Sequence, residues 1–275
     1  MPGGRSRPRR AAWTPRGTGP RDAAKRPIHI AWLTVQEIVP TPERGRIFTE
    51  SLRPGLADCS PSGRIRLDAL ARWAQDVAYA DSVDAGLAGQ TMWVVRRTRM
   101  RVTRFPHFGA EFALQTFCSG LGRMWAERRT SITPAGEEAG GVEVVSIWVH
   151  LDPLSGRPTK LTAEEIAMWG ESTAGRTVTA RLRHPAPDGV ADGYEWWFRS
   201  TELDLARHVN NAAYLTPVEE ELLVDEVEPR SIDLEIEYRS PAQPGEMRVL
   251  RDGARRWIVS PAGEMYASII IKQEV

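Results

Sequence analysis

Leu67-Asp68-Ala69-Leu70-Ala71-Arg72-Trp73-Ala74-Gln75-Asp76-Val77-Ala78 is the stretch on which the fold turns. Its apolar residues Leu67, Leu70, Trp73, Ala74, Val77 and Ala78 recur every three or four positions and mark one stripe of an amphipathic helix. Its surroundings read as strands. Before it, 46–52 is a strand candidate and Ala57-Asp58-Cys59-Ser60-Pro61-Ser62-Gly63 a loop. After it come four long strand candidates, 93–103, 111–118, 124–133 and 142–151. Turn formers separate them: Phe105-Pro106-His107-Phe108-Gly109, Ser119-Gly120-Leu121-Gly122 and Pro134-Ala135-Gly136. This order predicts one helix wrapped by an antiparallel sheet.

Downstream the order recurs. A polar stretch rich in Thr, Pro and Gly, 169–193, reads as a linker. A strand is expected over 194–201 and a helix over 210–223. Ile232, Leu234, Ile236 and Tyr238 then alternate with Asp233, Glu235 and Glu237, the mark of a half-buried strand. Strands over 247–250, 254–260 and 265–272 follow, with turns at Asp252-Gly253 and Pro261-Ala262-Gly263. Laid on the first half, Asp58-Cys59-Ser60-Pro61-Ser62-Gly63-Arg64-Ile65 falls without a gap on Glu202-Leu203-Asp204-Leu205-Ala206-Arg207-His208-Val209. The same register sets Asp76 opposite Glu220, which is the signature of a duplication. The expected fold is therefore α+β, two tandem hotdog domains, each a long helix wrapped by an antiparallel sheet. The expected boundaries are 1–45 for a disordered basic extension and lead-in, 46–168 for the first domain, 169–193 for the linker and 194–275 for the second domain.

Composition narrows the class. The 275 residues are 41% hydrophobic and 26% charged, the balance of a soluble globular protein. No apolar run is long enough to span a bilayer, and no apolar h-region follows the basic N-terminus. Cys59 and Cys118 have no metal or disulfide spacing and fit a reducing cytoplasm. The formal charge of zero hides an asymmetry: residues 1–27 carry eight basic residues against Asp22, leaving 28 basic and 35 acidic residues in the body. With its Pro and Gly content and no apolar period, that tail is expected to be disordered. Contact with nucleic acid or an acidic membrane is one reading of it; a dispensable extension, with no nucleic-acid partner, is the one adopted.

The segment that carries chemistry is Asp204-Leu205-Ala206-Arg207-His208-Val209-Asn210-Asn211-Ala212-Ala213-Tyr214. It resembles the acyl-acyl-carrier-protein thioesterases, which follow Asp-x-Asn-x-His-Val-Asn-Asn with a nearby Tyr. Asp58 to Gly63 resembles the acidic loop of hotdog acyl thioesterases. Phe105-Pro106-His107-Phe108-Gly109-Ala110 through Thr116 resembles the family's Pro-x-x-Gly strand turn, and Asp152-Pro153-Leu154-Ser155-Gly156-Arg157-Pro158 the end of its first domain. These motifs span residues 46 to 272. The resemblance implies hydrolysis of the thioester of acyl-carrier protein, with no metal and no organic cofactor. It places the acyl pocket in the first domain and the catalytic loop in the second.

Physical chemistry assigns roles within the loop. His208 can donate a hydrogen bond to a thioester carbonyl, and Asp204 can hold or deprotonate the attacking water. Asn210 or Asn211 can cap the following helix, whose first N–H groups and positive dipole end favour an oxyanion. The alternative is a capped turn and a structural histidine. Two positions depart from the family: Ala206 stands where its Asn lies between the Asp and the His, and Arg239-Ser240-Pro241-Ala242 lacks the acidic or thiol residue of plant members. Either backbone groups and His208 suffice, or Glu220 contributes from the helix, or the activity has changed. The candidate catalytic residues are Asp204, His208 and Glu220. Candidate substrate-binding residues are Asn210 and Asn211 with Arg97, Arg99 and Arg101.

These three arginines alternate on one strand face and, with Arg104, Arg123, Arg128 and Arg129, make either a basic patch for acidic acyl-carrier protein or a sheet face paired with acids such as Glu111 and Glu127. Trp73, Trp93, Trp125 and Trp148 either line an acyl channel or fill a core. An acyl-CoA thioesterase of the same fold and a non-catalytic acyl-binding protein remain the alternatives. A fused pair supplies its own pairing, so a monomer or a homodimer is expected.

Overall fold

The computed structural model describes residues 38–89, 92–137 and 140–274. The basic tail 1–27 and its expected disorder lie outside them. The helical stripe forms α1, Leu67–Asp84. All six residues of the stripe are buried, and Leu67 and Leu70 are at 0% exposure. Burying each such leucine stabilises the fold by about 1.5–3 kcal/mol, so a charge at Leu70 would expel the helix. The flanking strands are β1 (Phe48–Leu52), β2 (Met92–Val102), β3 (Phe112–Leu121), β4 (Trp125–Pro134) and β5 (Val142–Leu151).

The second half supplies β6 (Gly193–Phe198), β7 (Ser231–Tyr238), β8 (Gly245–Asp252), β9 (Arg255–Val259) and β10 (Met265–Glu274). All ten strands join one antiparallel sheet in the order β1-β3-β4-β5-β2-β7-β10-β9-β8-β6. First-half strands are contiguous, second-half strands are contiguous, and β2 pairs with β7 at the seam. One large core of α1, the sheet and the 212–222 segment spans that seam.

Three expectations change. The segment expected as one helix over 210–223 is a 3-10 turn, Asn211–Leu215, followed by an α-helix, Thr216–Val224. Pro217 at its start cannot donate a backbone hydrogen bond, so the chain enters the α form there. A short helix stands unexpectedly at α2, Ala163–Trp169, and the Thr216–Val224 helix is accordingly α3. The stretch read as a linker is strapped to the sheet. Leu121 N donates to Arg176 O and Val178 N to Leu121 O, both at 3.1 Å, and the Trp125 indole donates to Val178 O at 2.8 Å. No helix among the described residues is long and apolar enough to cross a membrane.

The internal repeat reaches the hydrogen bonds. Cys59 bridges Ile65 as Leu203 bridges Val209. Ser60 N donates to Arg64 O as Asp204 N donates to His208 O, and Gly63 N to Ser60 O as Arg207 N to Asp204 O. Each loop crosses to the other half's helix. Arg64 pairs with Glu219 of α3, and Asn210 Nδ2 donates to Gln75 of α1 at 3.2 Å.

Candidate active site

The loop from Leu203 to Val209 is closed at its base by the Leu203–Val209 bridge. Within it Asp204 Oδ1 accepts the Ala206 N–H at 2.9 Å, an Asx turn that fixes the carboxylate while leaving it exposed. Arg207 carries the strain, with φ at 61°. Its counterpart in the first loop is Gly63, at φ 89°, where the left-handed conformation costs little. A non-glycine residue held there costs on the order of 1–3 kcal/mol and is characteristic of functional loops.

The strand-end segment after β7 holds the loop from outside. Val209 N donates to Ala242 O at 3.0 Å and Gln243 Nε2 to Arg207 O at 3.2 Å. Ala242 N in turn donates to the Tyr214 hydroxyl at 2.9 Å. Burial pushes the Tyr214 phenol up to about 12, so it stays neutral as a fixed acceptor. This is the segment where the resemblance to plant members implies an acidic or thiol residue; here Pro241 and Ala242 contribute backbone and shape only.

His208 is half-buried, and its ring has no protein hydrogen-bond partner among the described residues. Asn210 is the cap: its Oδ1 accepts Ala212 N at 2.9 Å and its carbonyl accepts Ala213 N at 2.9 Å. Two of the N–H groups expected to face an oxyanion are thus already used. Asn211 is not the cap; its carbonyl accepts the Tyr238 hydroxyl at 3.0 Å. Glu220 is exposed on α3 and borders a separate groove with Arg66, Trp197 and Glu246, so the fold does not bring it to the loop.

The arginine patch is not formed as expected. Arg97 and Arg99 are each 9% exposed, because β7 lies beside β2 and sets Glu237, Glu235 and Asp233 opposite Arg97, Arg99 and Arg101. Arg99 grips Asp233 through two hydrogen bonds, 3.0 and 2.7 Å, and Arg101 lies 3.4 Å from it. Arg97 lies 3.9 Å from Glu235. Despite burial, the Arg99 and Arg101 guanidinium groups hold the Asp233 carboxyl below its ordinary range. The alternation is a cross-strand ion ladder rather than a docking surface.

His184 in the strap, with Glu235 and Glu237, brings three potential metal-ligand atoms within 4.8 Å. Glu237 already accepts the Arg183 and His184 N–H groups at 2.6 and 2.9 Å, and His184 Nδ1 faces the Ser268 carbonyl at 3.1 Å. With its atoms engaged in these bonds and Arg97 alongside, the cluster reads as a clasp for the strap.

Beside the loop lies a cavity of about 440 Å³. Its walls come from Tyr79 and Ser82 of α1, Trp93 of β2, Cys118 of β3, Arg128 of β4, Trp148 of β5 and Trp169 of α2. Leu205 and Ala206 of the loop also border it. Burial pushes the Cys118 thiol up to about 11, which makes it an inert wall group. Of the tryptophans in question, Trp93 and Trp148 line the cavity, whereas Trp73 is core. Trp169, expected at the start of the linker, is the buried last residue of α2; the Thr162–Glu165 capping box that starts this helix is the signal that marks it.

A large antiparallel sheet around a long helix, with an apolar cavity bordered by Leu205 and Ala206, is the hotdog architecture. The chain belongs to the acyl-ACP thioesterase family: residues 46–169 match the model of its N-terminal domain and residues 190–250 that of its C-terminal domain. An uncharacterised protein of Mycobacterium tuberculosis is 28% identical over 217 residues, covering 78% of this chain and 85% of that protein. Two solved structures share the fold. An acyl-ACP thioesterase from Bacteroides thetaiotaomicron is 15% identical, with a TM-score of 0.67, covering 82% of this chain and 98% of the other. The 12:0-ACP thioesterase from Umbellularia californica is 19% identical, with a TM-score of 0.66, covering 84% and 99%. The activity of this chain is fatty acyl thioester hydrolysis.

Proposed function

We propose that the chain is two tandem hotdog domains, 46–168 and 194–275, which release free fatty acid from acyl-carrier protein through the 204–208 loop. One observation carries the assignment: Leu205 and Ala206 border the apolar cavity, so a chain buried there ends with its thioester beside Asp204 and His208. His208, with no protein partner for its ring, donates to the thioester oxygen and stabilises the oxyanion. Asp204, fixed by the Ala206 N–H, orients a water and takes its proton as the oxygen attacks the carbonyl carbon. Collapse of the tetrahedral intermediate breaks the C–S bond; the phosphopantetheine sulfur takes the proton held by Asp204 and leaves as the thiol, and the acid diffuses out. The seam between β2 and β7 supplies internally the pairing that separate hotdog domains find by dimerising, so a monomer suffices. Two free thiols fit a reducing compartment, and the proposal places the enzyme in the cytoplasm.

The test is thiol release by folded variants from long-chain acyl-carrier protein and from acyl-CoA, side by side. His208→Ala and Asp204→Asn should each lower kcat roughly a hundredfold, the scale of one lost carbonyl-polarising or water-orienting group. Ala206→Asn restores the amide of the family motif, and activity should hold or rise. Wild-type rates in both His208→Ala and Asp204→Asn would sink the loop assignment. Faster turnover of acyl-CoA than of acyl-carrier protein would move the substrate to the nucleotide thioester.

A further inference from the structure

The cavity wall contains a guanidinium with unused donors. Arg128 lies on β4, is 9% exposed and borders the cavity. Its Nη1 donates to Asp81 Oδ2 at 2.5 Å and to Thr116 Oγ1 at 3.4 Å, and its plane lies over the Trp169 ring, 5.7 Å from the centroid. Nε and Nη2 have no protein partner among the described residues, and neither is sealed from water. A purely apolar acyl chain filling this cavity would strip water from those N–H groups and give nothing back, a desolvation cost.

The charge around Arg128 is already balanced. Asp81, 1% exposed, faces it directly, and Arg46 binds Asp81 at 2.6 Å while also reaching Asp84. What Arg128 lacks is an acceptor rather than a counter-ion. The position along the chain follows from α1. Gln75 touches the catalytic-loop side through Asn210, and Asp81 lies roughly 9 Å further along the helix axis at about 1.5 Å per residue.

We propose that Arg128 makes this cavity selective for acyl chains bearing a neutral oxygen, a hydroxyl or a keto group, in the part remote from the thioester. The inference rests on the cavity being the acyl site. The oxygen accepts from Nε or Nη2, and the Trp169 face holds the guanidinium in place. Its role is specificity, away from the bond that breaks.

The experiment compares kcat/KM for acyl-carrier protein loaded with chains of one length: unsubstituted, hydroxylated at successive distal carbons, and ending in a carboxylate. Free acids of the same set are titrated by quenching of cavity tryptophan fluorescence. One distal hydroxyl position should exceed the unsubstituted chain by about tenfold or more, the scale of a hydrogen bond to a charged group. In Arg128→Met, where Arg46 still pairs Asp81, that ratio should fall towards one; the double variant Arg128→Met with Asp81→Asn, which leaves no buried carboxylate short of a cation, serves if the first does not fold. Equal or poorer use of every hydroxylated chain overturns the proposal, as does a preference that survives in either folded variant or a carboxylate chain that outperforms both others. If no thioester is hydrolysed at all, the catalytic reading fails, and the binding titration alone decides: tighter hydroxy acid sustains the selectivity, equal affinity ends it.

Discussion

Replacing Glu219 with alanine should unfold the protein at a markedly lower temperature, although Glu219 lies outside the loop from Leu203 to Val209. Its carboxylate accepts from both terminal nitrogens of Arg64 and from Leu67 N at 3.0 Å. The two side chains are 2% and 3% exposed. Removing the acid therefore strands a buried guanidinium and a backbone N–H at the first turn of α1. Breaking a buried pair costs about 3–5 kcal/mol. The lower end applies here, because Glu228 still holds Arg64 Nε at 2.7 Å and the Phe105 ring lies 4.9 Å beneath the guanidinium. At about 2–4 °C per kcal/mol for a domain of this size, 3 kcal/mol is a fall of about 6–12 °C in Tm. The assay is thermal unfolding of purified variants at neutral pH. The double variant Arg64→Met with Glu219→Leu removes both charges together, and replacing a buried pair by apolar groups is often neutral, so most of the loss should return. A Glu219→Ala protein melting within about 2 °C of wild type, or a double variant melting below the single, refutes the reasoning.

Further outcomes follow from the ladder and the cavity. Asp233 and Glu235 are held below their ordinary carboxyl range, so they stabilise the fold at neutral pH and that contribution is lost as pH falls below about 4. Asp233→Asn should therefore flatten the acid limb of a stability-versus-pH curve; an unchanged limb would remove the ladder from the account. Arg99→Ala should lower Tm and reduce turnover of acyl-carrier protein and of a small thioester alike, whereas a rise in KM confined to the carrier protein would restore Arg99 to docking. Cys118 should react with a disulfide reagent far more slowly than the half-buried Cys59, and an acyl ligand should slow it further; fast labelling of Cys118 would contradict its burial.

Much of the fold is legible because burial imposes periods. The α1 stripe and β7's alternation are each read from their own residues, and the two loops align because they close in the same way. What the sequence does not display is adjacency. Arg97, Arg99 and Arg101 stand out on one strand, and Asp233, Glu235 and Glu237 on another, but their meeting depends on a strand order that no local pattern encodes. The same holds for the cavity, whose walls come from α1, α2, four strands and a loop of the other half. The strap escapes for another reason. Its backbone hydrogen bonds to the sheet edge leave no apolar period, so Thr, Pro and Gly content alone reads as a tether. In the loop itself, the His, the Asp and the pair of candidate capping asparagines are visible from the motif, whereas the choice of Asn210 over Asn211 and the remoteness of Glu220 are facts of three-dimensional placement.

The matching loops carry an evolutionary consequence. Arg64 occupies in the first copy the place His208 holds in the second, and there it locks onto Glu219 and Glu228. Returning Arg64 to histidine would not restore an equivalent loop, because a single imidazole cannot satisfy two carboxylates and Glu219 would remain buried without its cation. Several positions would have to change together, each intermediate less stable than its parent. Duplication thus works as a ratchet: once the first loop became a fastener, any path back runs through less stable proteins.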